Sequence, residues 1–145
     1  QPLQILEYIL HILSAIIQKV TNEKLVDYLY PRLFKPLGID KPEWEEDPIG
    51  INVGGWGLHL KTEDIAKFGQ LYLKKGNWNG KQVVPAEWVS NSTVPLGKHV
   101  QPNAGDQFTS DAWGYGYQWW IPGPGVSDYT AHGIYNQFIY ENPES

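Results

Sequence analysis

The chain has 145 residues, room for one domain or part of one. Apolar residues make up 41%, enough for a packed core, and the 19% charged fraction is too low for a disordered acidic tail. A net charge of −5 without a basic stripe argues against a nucleic-acid partner, and the lack of cysteine removes disulfides and thiolate metal sites. His11, His59, His99 and His132 show no His-x-x-x-His spacing, so no metal or other cofactor is expected. Methionine is absent even at position 1, so Gln1 is not read as a translation start. The apolar run from Ile9 to Val20 is broken by His11, Ser14, Gln18 and Lys19, too short and polar for a membrane span. It has no basic leader, so no signal peptide is read there.

Ile9, Leu10, Ile12, Leu13, Ile16, Ile17 and Val20 keep helical spacing with a wide apolar face, which predicts a helix buried on most sides. Thr21 and Asn22 offer an N-cap to a second helix, along which Leu25, Leu29 and Leu33 recur. Pro31 should kink or interrupt it, and Pro36-Leu37-Gly38 closes the unit. Residues 38–57, with Lys-Pro and Asp-Pro steps and the acidic run from Glu43 to Asp47 around Trp44, read as a solvated loop. Thr62 caps the next helix, Ile65, Phe68, Leu71 and Tyr72 form its buried stripe, and Lys74-Lys75-Gly76 ends it. Asn79-Gly80 marks a tight turn, and Pro85 opens a short helix through Val89.

Residues 95–112 read as irregular loop. Trp113 to Ile121 reads as one strand with Trp113, Tyr115, Tyr117 and Trp119 on one face. Pro122 to Gly125 is a turn, Thr130–Gly133 and Phe138–Tyr140 are strand segments, and Asn142-Pro143-Glu144 is a further turn. Helices first and strands last give an α+β class with an unpaired sheet edge.

No serine is followed three residues later by lysine, and no Gly-x-Ser-x-Gly elbow is present. No Gly-rich phosphate loop opens a helix. From its residues alone the chain carries no complete catalytic set.

The run Leu13-Ser14-Ala15-Ile16-Ile17-Gln18-Lys19-Val20-Thr21, followed by Leu33 to Gly38, resembles the helical segment of serine β-lactamase and penicillin-binding-protein-like hydrolases. So do Gly54-Gly55-Trp56-Gly57-Leu58 with Thr62 to Gly69, and Asn79-Gly80-Lys81 with Pro85 to Val89. Gly114 to Trp120 corresponds to the strand that approaches that family's site. Each motif alone is weak; together, in order, they cover nearly the whole chain. The resemblance implies a β-lactamase/DD-peptidase-like fold, an antiparallel sheet with helices, incomplete at both ends. Residues 1–145 are then a partial domain, helical over about 1–95 and stranded over about 113–145.

The family uses Ser-x-x-Lys, Tyr-x-Asn or Ser-x-Asn, and Lys-Thr-Gly. The first is absent and is expected upstream of Gln1. The second should fall just before Leu13; Tyr8 is the nearby tyrosine, but Ile9-Leu10 follows it. Its plainer reading is a half-buried tyrosine at a helix start. The third aligns with Ala131-His132-Gly133, where Ala131 replaces the lysine and His132 the threonine. Such variants resemble esterase and amidase members, including relatives of the aminohexanoate-oligomer hydrolases. Loss of the cation removes the partner of a substrate carboxylate and favours neutral esters or amides over β-lactams. The backbone N–H of Ile134 would complete the oxyanion hole. By strand alternation the His132 side chain falls on the face opposite Ala131 and Gly133. His132, Gly133, Trp56 and Tyr135 are the candidate substrate contacts.

The implied partner is a small-molecule substrate reached through an acyl-enzyme, with the nucleophile outside this chain; oligomeric state and compartment stay open. The alternatives are a non-catalytic aromatic-rich binding module, given seven Trp and nine Tyr, and an inactive family remnant.

Overall fold

The computed structural model describes residues 2–96, 114–121, 127–132 and 138–143. Its residues cluster into two compact units, Gln1–Asp64 and Ile65–Ser145. Helices and antiparallel strands make the class α+β.

The first unit opens with helix α1, Pro2–Thr21. Asn22 takes the left-handed conformation at φ 58°, which ends the helix. The Thr21 hydroxyl donates to the Ile17 carbonyl at 2.7 Å and accepts the Glu23 N–H at 3.2 Å. Thr21-Asn22 is thus a helix stop. The N-cap of helix α2, Leu25–Leu29, is Lys24, with no side-chain cap. Pro31 has no N–H to continue α2, and the chain slips into a π-helical turn, Tyr30–Phe34, closed by Lys35 N–H to the Tyr30 carbonyl at 2.8 Å. Leu25, Val26, Phe34, Leu37 and Ile39 are the buried apolar residues of these turns.

The expectation that α1 is buried on most sides is overturned. Ser14 is buried and Leu10, His11, Ile17 and Gln18 are half-buried, while Ile9, Ile12, Leu13, Ile16 and Val20 are exposed. In this unit α1 meets α2 and a loop whose carbonyls and carboxylates face it. Its polar face supplies the donors that such a surface requires.

That loop, residues 43–59, is laddered. Glu45 N–H donates to Gly57 O, Val53 N–H to Glu45 O and His59 N–H to Glu43 O, at 2.8–2.9 Å, with bridges Trp44–Leu58 and Glu46–Asn52. Within the acidic run Glu46 pairs with Lys24 at 2.6 Å, while the carboxylates of Asp47 and Glu45 lie 3.1 Å and 3.6 Å from the Nε2 atoms of His11 and His59.

Helix α3, Thr62–Leu73, crosses into the second unit. Strands β1, Asn77–Trp78, and β2, Lys81–Gln82, form a hairpin whose turn residues Asn79 and Gly80 both have positive φ. Helix α4, Ala86–Ser92, follows Pro85. Strands β3 (Gly114–Tyr115), β4 (Trp120–Ile121), β5 (Tyr129–His132) and β6 (Phe138–Glu141) make an antiparallel sheet in the order β3-β4-β5-β6. Tyr72, Val89, Trp119, Ile121 and Tyr129 form the core, with Phe68, Val84, Ala131 and Ile139 packed against it. Trp119 sits 4.8 Å from the Tyr72 ring and edge-on to Tyr129 at 5.0 Å.

The single strand expected from Trp113 to Ile121 is instead the hairpin β3–β4. Gly116 N–H donates to Trp119 O at 2.7 Å, and Gln118 has φ 69°. Tyr117 N–H is drawn to Ser92 O at 2.9 Å, and a Cβ on Gly116 would lie 2.1 Å from that same carbonyl. The C-terminus of α4 therefore folds the aromatic run into a turn. Trp119 is buried while Tyr117 is exposed, so the expected common face does not form. Trp113, the turn at Pro122–Gly125 and most of 95–112 lie outside the described residues.

Candidate active site

In the first unit the Gly-Gly-Trp-Gly segment lies flush on α1. A Cβ on Gly54 would stand 2.1 Å from the Leu10 carbonyl oxygen, and one on Gly55 3.0 Å from Glu7 Cα. Only glycines allow this approach. Trp56 and Tyr8 are thus each one residue from the Gly55–Glu7 contact. Trp56 is half-exposed at 49%, its carbonyl accepting the Trp44 indole N–H at 3.1 Å. Tyr8 sits well inside α1 at 68% exposure, so it is neither half-buried nor at a helix start.

Below this surface a polar network ties loop to helix, and reasoning from sequence missed it. Asn52 is fully buried. Its Oδ1 accepts Val26 N–H at 3.0 Å, its Nδ2 donates to Trp44 O at 3.2 Å, and its carbonyl accepts the Ser14 hydroxyl at 2.6 Å. Asp47 Oδ1 accepts the N–H groups of Ile49 and Ile51 at 2.9 Å each, and Oδ2 meets His11 Nε2 at 3.1 Å. These contacts hold the Asp47 carboxyl below its ordinary value, the Ile51 N–H foremost. With Nε2–H donating, His11 Nδ1 carries the lone pair, and it is buried without a hydrogen-bond partner among the described residues. The available signal was the set of polar residues breaking the apolar run of α1.

In the second unit β5 carries the third-motif candidates. Ala131 pairs with Ile139 and His132 with Phe138. Ala131 is half-buried against the core, an apolar setting for the position that holds lysine in the motif. Gly133, Ile134 and Tyr135 lie outside the described residues, as does the His132 side chain. At the other end of the hairpin Tyr129 pairs with Glu141, whose side chain is buried. Burial, then Glu141 and Tyr72, pushes the Tyr129 hydroxyl up to about 12. The Tyr140 hydroxyl, raised chiefly by its hydrogen bond to the Asp128 carboxylate, lies on the exposed side of β6. Among the described residues no group of three or more His, Asp or Glu is placed to hold a metal ion, and no helix is long and apolar enough to cross a membrane.

No family model matches the chain. It is homologous to a hydrolase, with 24% identity over 135 residues to the 6-aminohexanoate-dimer hydrolase of Paenarthrobacter ureafaciens. That match covers 92% of this chain and 34% of the relative. A solved structure from Bacillus anthracis, provisionally assigned as a 6-aminohexanoate-dimer hydrolase, superposes with a TM-score of 0.71 at 28% identity. It covers 91% of this chain and 33% of that one, so the chain spans about a third of the length of the relatives it matches and shares their fold there.

Proposed function

We propose that this chain is part of a serine hydrolase that cleaves an ester, amide or β-lactam-type bond through an acyl-enzyme, with the nucleophile outside these residues. The observation that carries the reading is the match over nine tenths of the chain, in sequence and in fold, to proteins named as 6-aminohexanoate-dimer hydrolases. Residues 1–145 are read as part of one such domain. A linear amide is the favoured substrate class. The relatives' name supports it, and so does Ala131, which offers no cation for the carboxylate of a β-lactam or stem peptide.

In this reading Tyr8 relays the nucleophile's proton, and the Ile134 N–H donates to the tetrahedral oxyanion. Trp56, His132, Gly133 and Tyr135 line the substrate. The exposure of Tyr8 and its closeness along the backbone to Trp56 through the Gly55–Glu7 contact support the first role. A chimera tests the proposal: this chain replaces the corresponding third of the Bacillus anthracis protein. The expected result is hydrolysis of the linear 6-aminohexanoate dimer or of a p-nitrophenyl ester, lowered by Tyr8→Phe. A folded chimera inert to both, whose serine also fails to react with a fluorophosphonate, would overturn it.

A further inference from the structure

We propose that Asn79 is a modification site, where the chain deamidates spontaneously to aspartate and isoaspartate, and that the Asn77 side chain governs the rate. Asn79-Gly80 is the one Asn-Gly step in the sequence. It forms the two-residue turn between β1 and β2, with φ 49° at Asn79 and 82° at Gly80. The Gly80 nitrogen is the nucleophile and the Asn79 side-chain carbonyl carbon is its target. Glycine places no side chain beside the attacking nitrogen. In the first step the Gly80 nitrogen gives up its proton, the N–Cγ bond forms and the Cγ–Nδ2 bond breaks. The side-chain nitrogen leaves as ammonia, with the proton. Water then opens the cyclic imide. Attack at Cγ yields aspartate; attack at the main-chain carbonyl yields isoaspartate, which adds one carbon to the main chain. The reacting atoms belong to adjacent residues, so nothing larger than water has to reach them.

Two features of the hairpin promote the reaction. Residues 74–84 hold Lys74, Lys75 and Lys81 and no acid, with Lys74 Nζ 5.5 Å over the Trp78 ring. Positive charge nearby favours loss of the Gly80 proton and the anion that forms on attack. The hairpin is also clamped below its tip. Gly76 O accepts the Val83 and Val84 N–H groups at 2.8 and 3.2 Å, and Gln82 Nε2 donates to Lys75 O at 2.7 Å and to Val84 O at 2.6 Å. Attack therefore asks only that the tip open, a local event that leaves the clamp in place. One feature opposes it. Asn77 Oδ1 accepts the Gly80 N–H at 3.1 Å. That bond occupies the proton that must leave and holds the turn that must open, which makes Asn77 the guard of its neighbour.

The test ages the purified chain in mildly alkaline buffer. Isoaspartate is read by peptide mapping and by labelling with an isoaspartyl methyltransferase and a radioactive methyl donor. The expected result is label in the peptide that holds Asn79, ahead of every other asparagine. Asn77→Ala should label about fivefold faster, the rate equivalent of one neutral hydrogen bond. Asn77→Asp keeps the acceptor and should label no faster than the parent. Asn79→Gly suits the turn, removes the target and should abolish the label. The absence of isoaspartate at position 79 in both the parent and Asn77→Ala would overturn the proposal. So would equal rates in those two chains, or a label that survives Asn79→Gly. If alanine at position 77 unfolds the hairpin, hydrogen exchange of the Gly80 amide in the parent decides. Slowed exchange supports the guard, and exchange at the free-peptide rate would overturn it.

Discussion

Asn52 ties three neighbours together: its amide oxygen accepts Val26 N–H, its amide nitrogen donates to Trp44 O, and its backbone carbonyl accepts the Ser14 hydroxyl. Alanine there would orphan the buried Val26 N–H and leave the part-buried Trp44 carbonyl without its amide donor. Each unmet buried group costs about 1–3 kcal/mol, so Asn52→Ala should lose roughly 2–4 kcal/mol in urea unfolding. A loss near zero would mean that water replaces the amide. Glu141 poses the opposite problem. It is 4% exposed and lies so close to α3 that a Cβ on Gly69 would be 2.0 Å from its Oε1. Burial raises its carboxyl above the ordinary 4.5. A raised carboxyl holds its proton more tightly folded than unfolded. Stability is therefore full below the ordinary value, falls as pH climbs through the raised one, and stays lowered above it. Glu141→Gln should melt above the parent at about pH 8, with the gap closing toward about pH 4. A gap independent of pH would show that the carboxylate is solvated.

At the scale of elements, α1 and its loop are joined by backbone contact as much as by side chains. Gly54→Ala would drive a methyl group against the Leu10 carbonyl, a main-chain atom that cannot rotate away. Overpacking of this kind costs about 1–3 kcal/mol, and here the loop must also lift. The expected outcome is a destabilised chain cut by protease within residues 43–59 far faster than wild type; an unchanged digestion rate would mean that the loop yields without strain. Helix periodicity and turn chemistry are local and were legible: the α3 stripe, the Asn79-Gly80 turn and the break at Pro31 stand where expected, although the N-cap expected at Thr21-Asn22 proved to be a helix stop. The β5–β6 pair was legible for the same reason. Two elements misled because their fate is tertiary. The α1 apolar face reads as buried until its polar side, through His11, Ser14 and Gln18, proves to be the one that meets the loop. The aromatic run reads as one strand until Ser92 O takes the Tyr117 N–H and turns it. Of the candidate site, Trp56 and Tyr8 were singled out through the family resemblance and remain proposals, whereas the network of Asn52, Asp47 and His11 was not read from the sequence. Their value comes from partners 26 to 38 residues away in sequence.

For the molecule as a whole, the proposed chemistry must be divided between these residues and others. In the proposed reading the nucleophile lies outside these residues, and the surroundings of Ser14, Ser90 and Ser92 agree with that. Ser14 and Ser92 are buried, and the hydroxyls of Ser14, Ser90 and Ser92 donate to the carbonyls of Asn52, Ala86 and Val89. None of these hydroxyls hydrogen-bonds a lysine or histidine side chain, so no amine or imidazole is set to take a proton from them. In the proposed reading these residues give a wall, a relay tyrosine and an oxyanion donor, which without a Ser-x-x-Lys pair can bind a substrate and still leave its carbonyl unattacked. Loss of a nucleophile alone costs about a million-fold in turnover in a well-studied serine protease, nearly as much as loss of the full set. The 145-residue chain by itself should therefore show no burst with a p-nitrophenyl ester, no opening of a chromogenic β-lactam and no cleavage of 6-aminohexanoate dimer. Its intact mass should stay unshifted after fluorophosphonate treatment. An adduct localised to any serine of this chain would place the nucleophile within it, and the division of labour argued here would then be wrong.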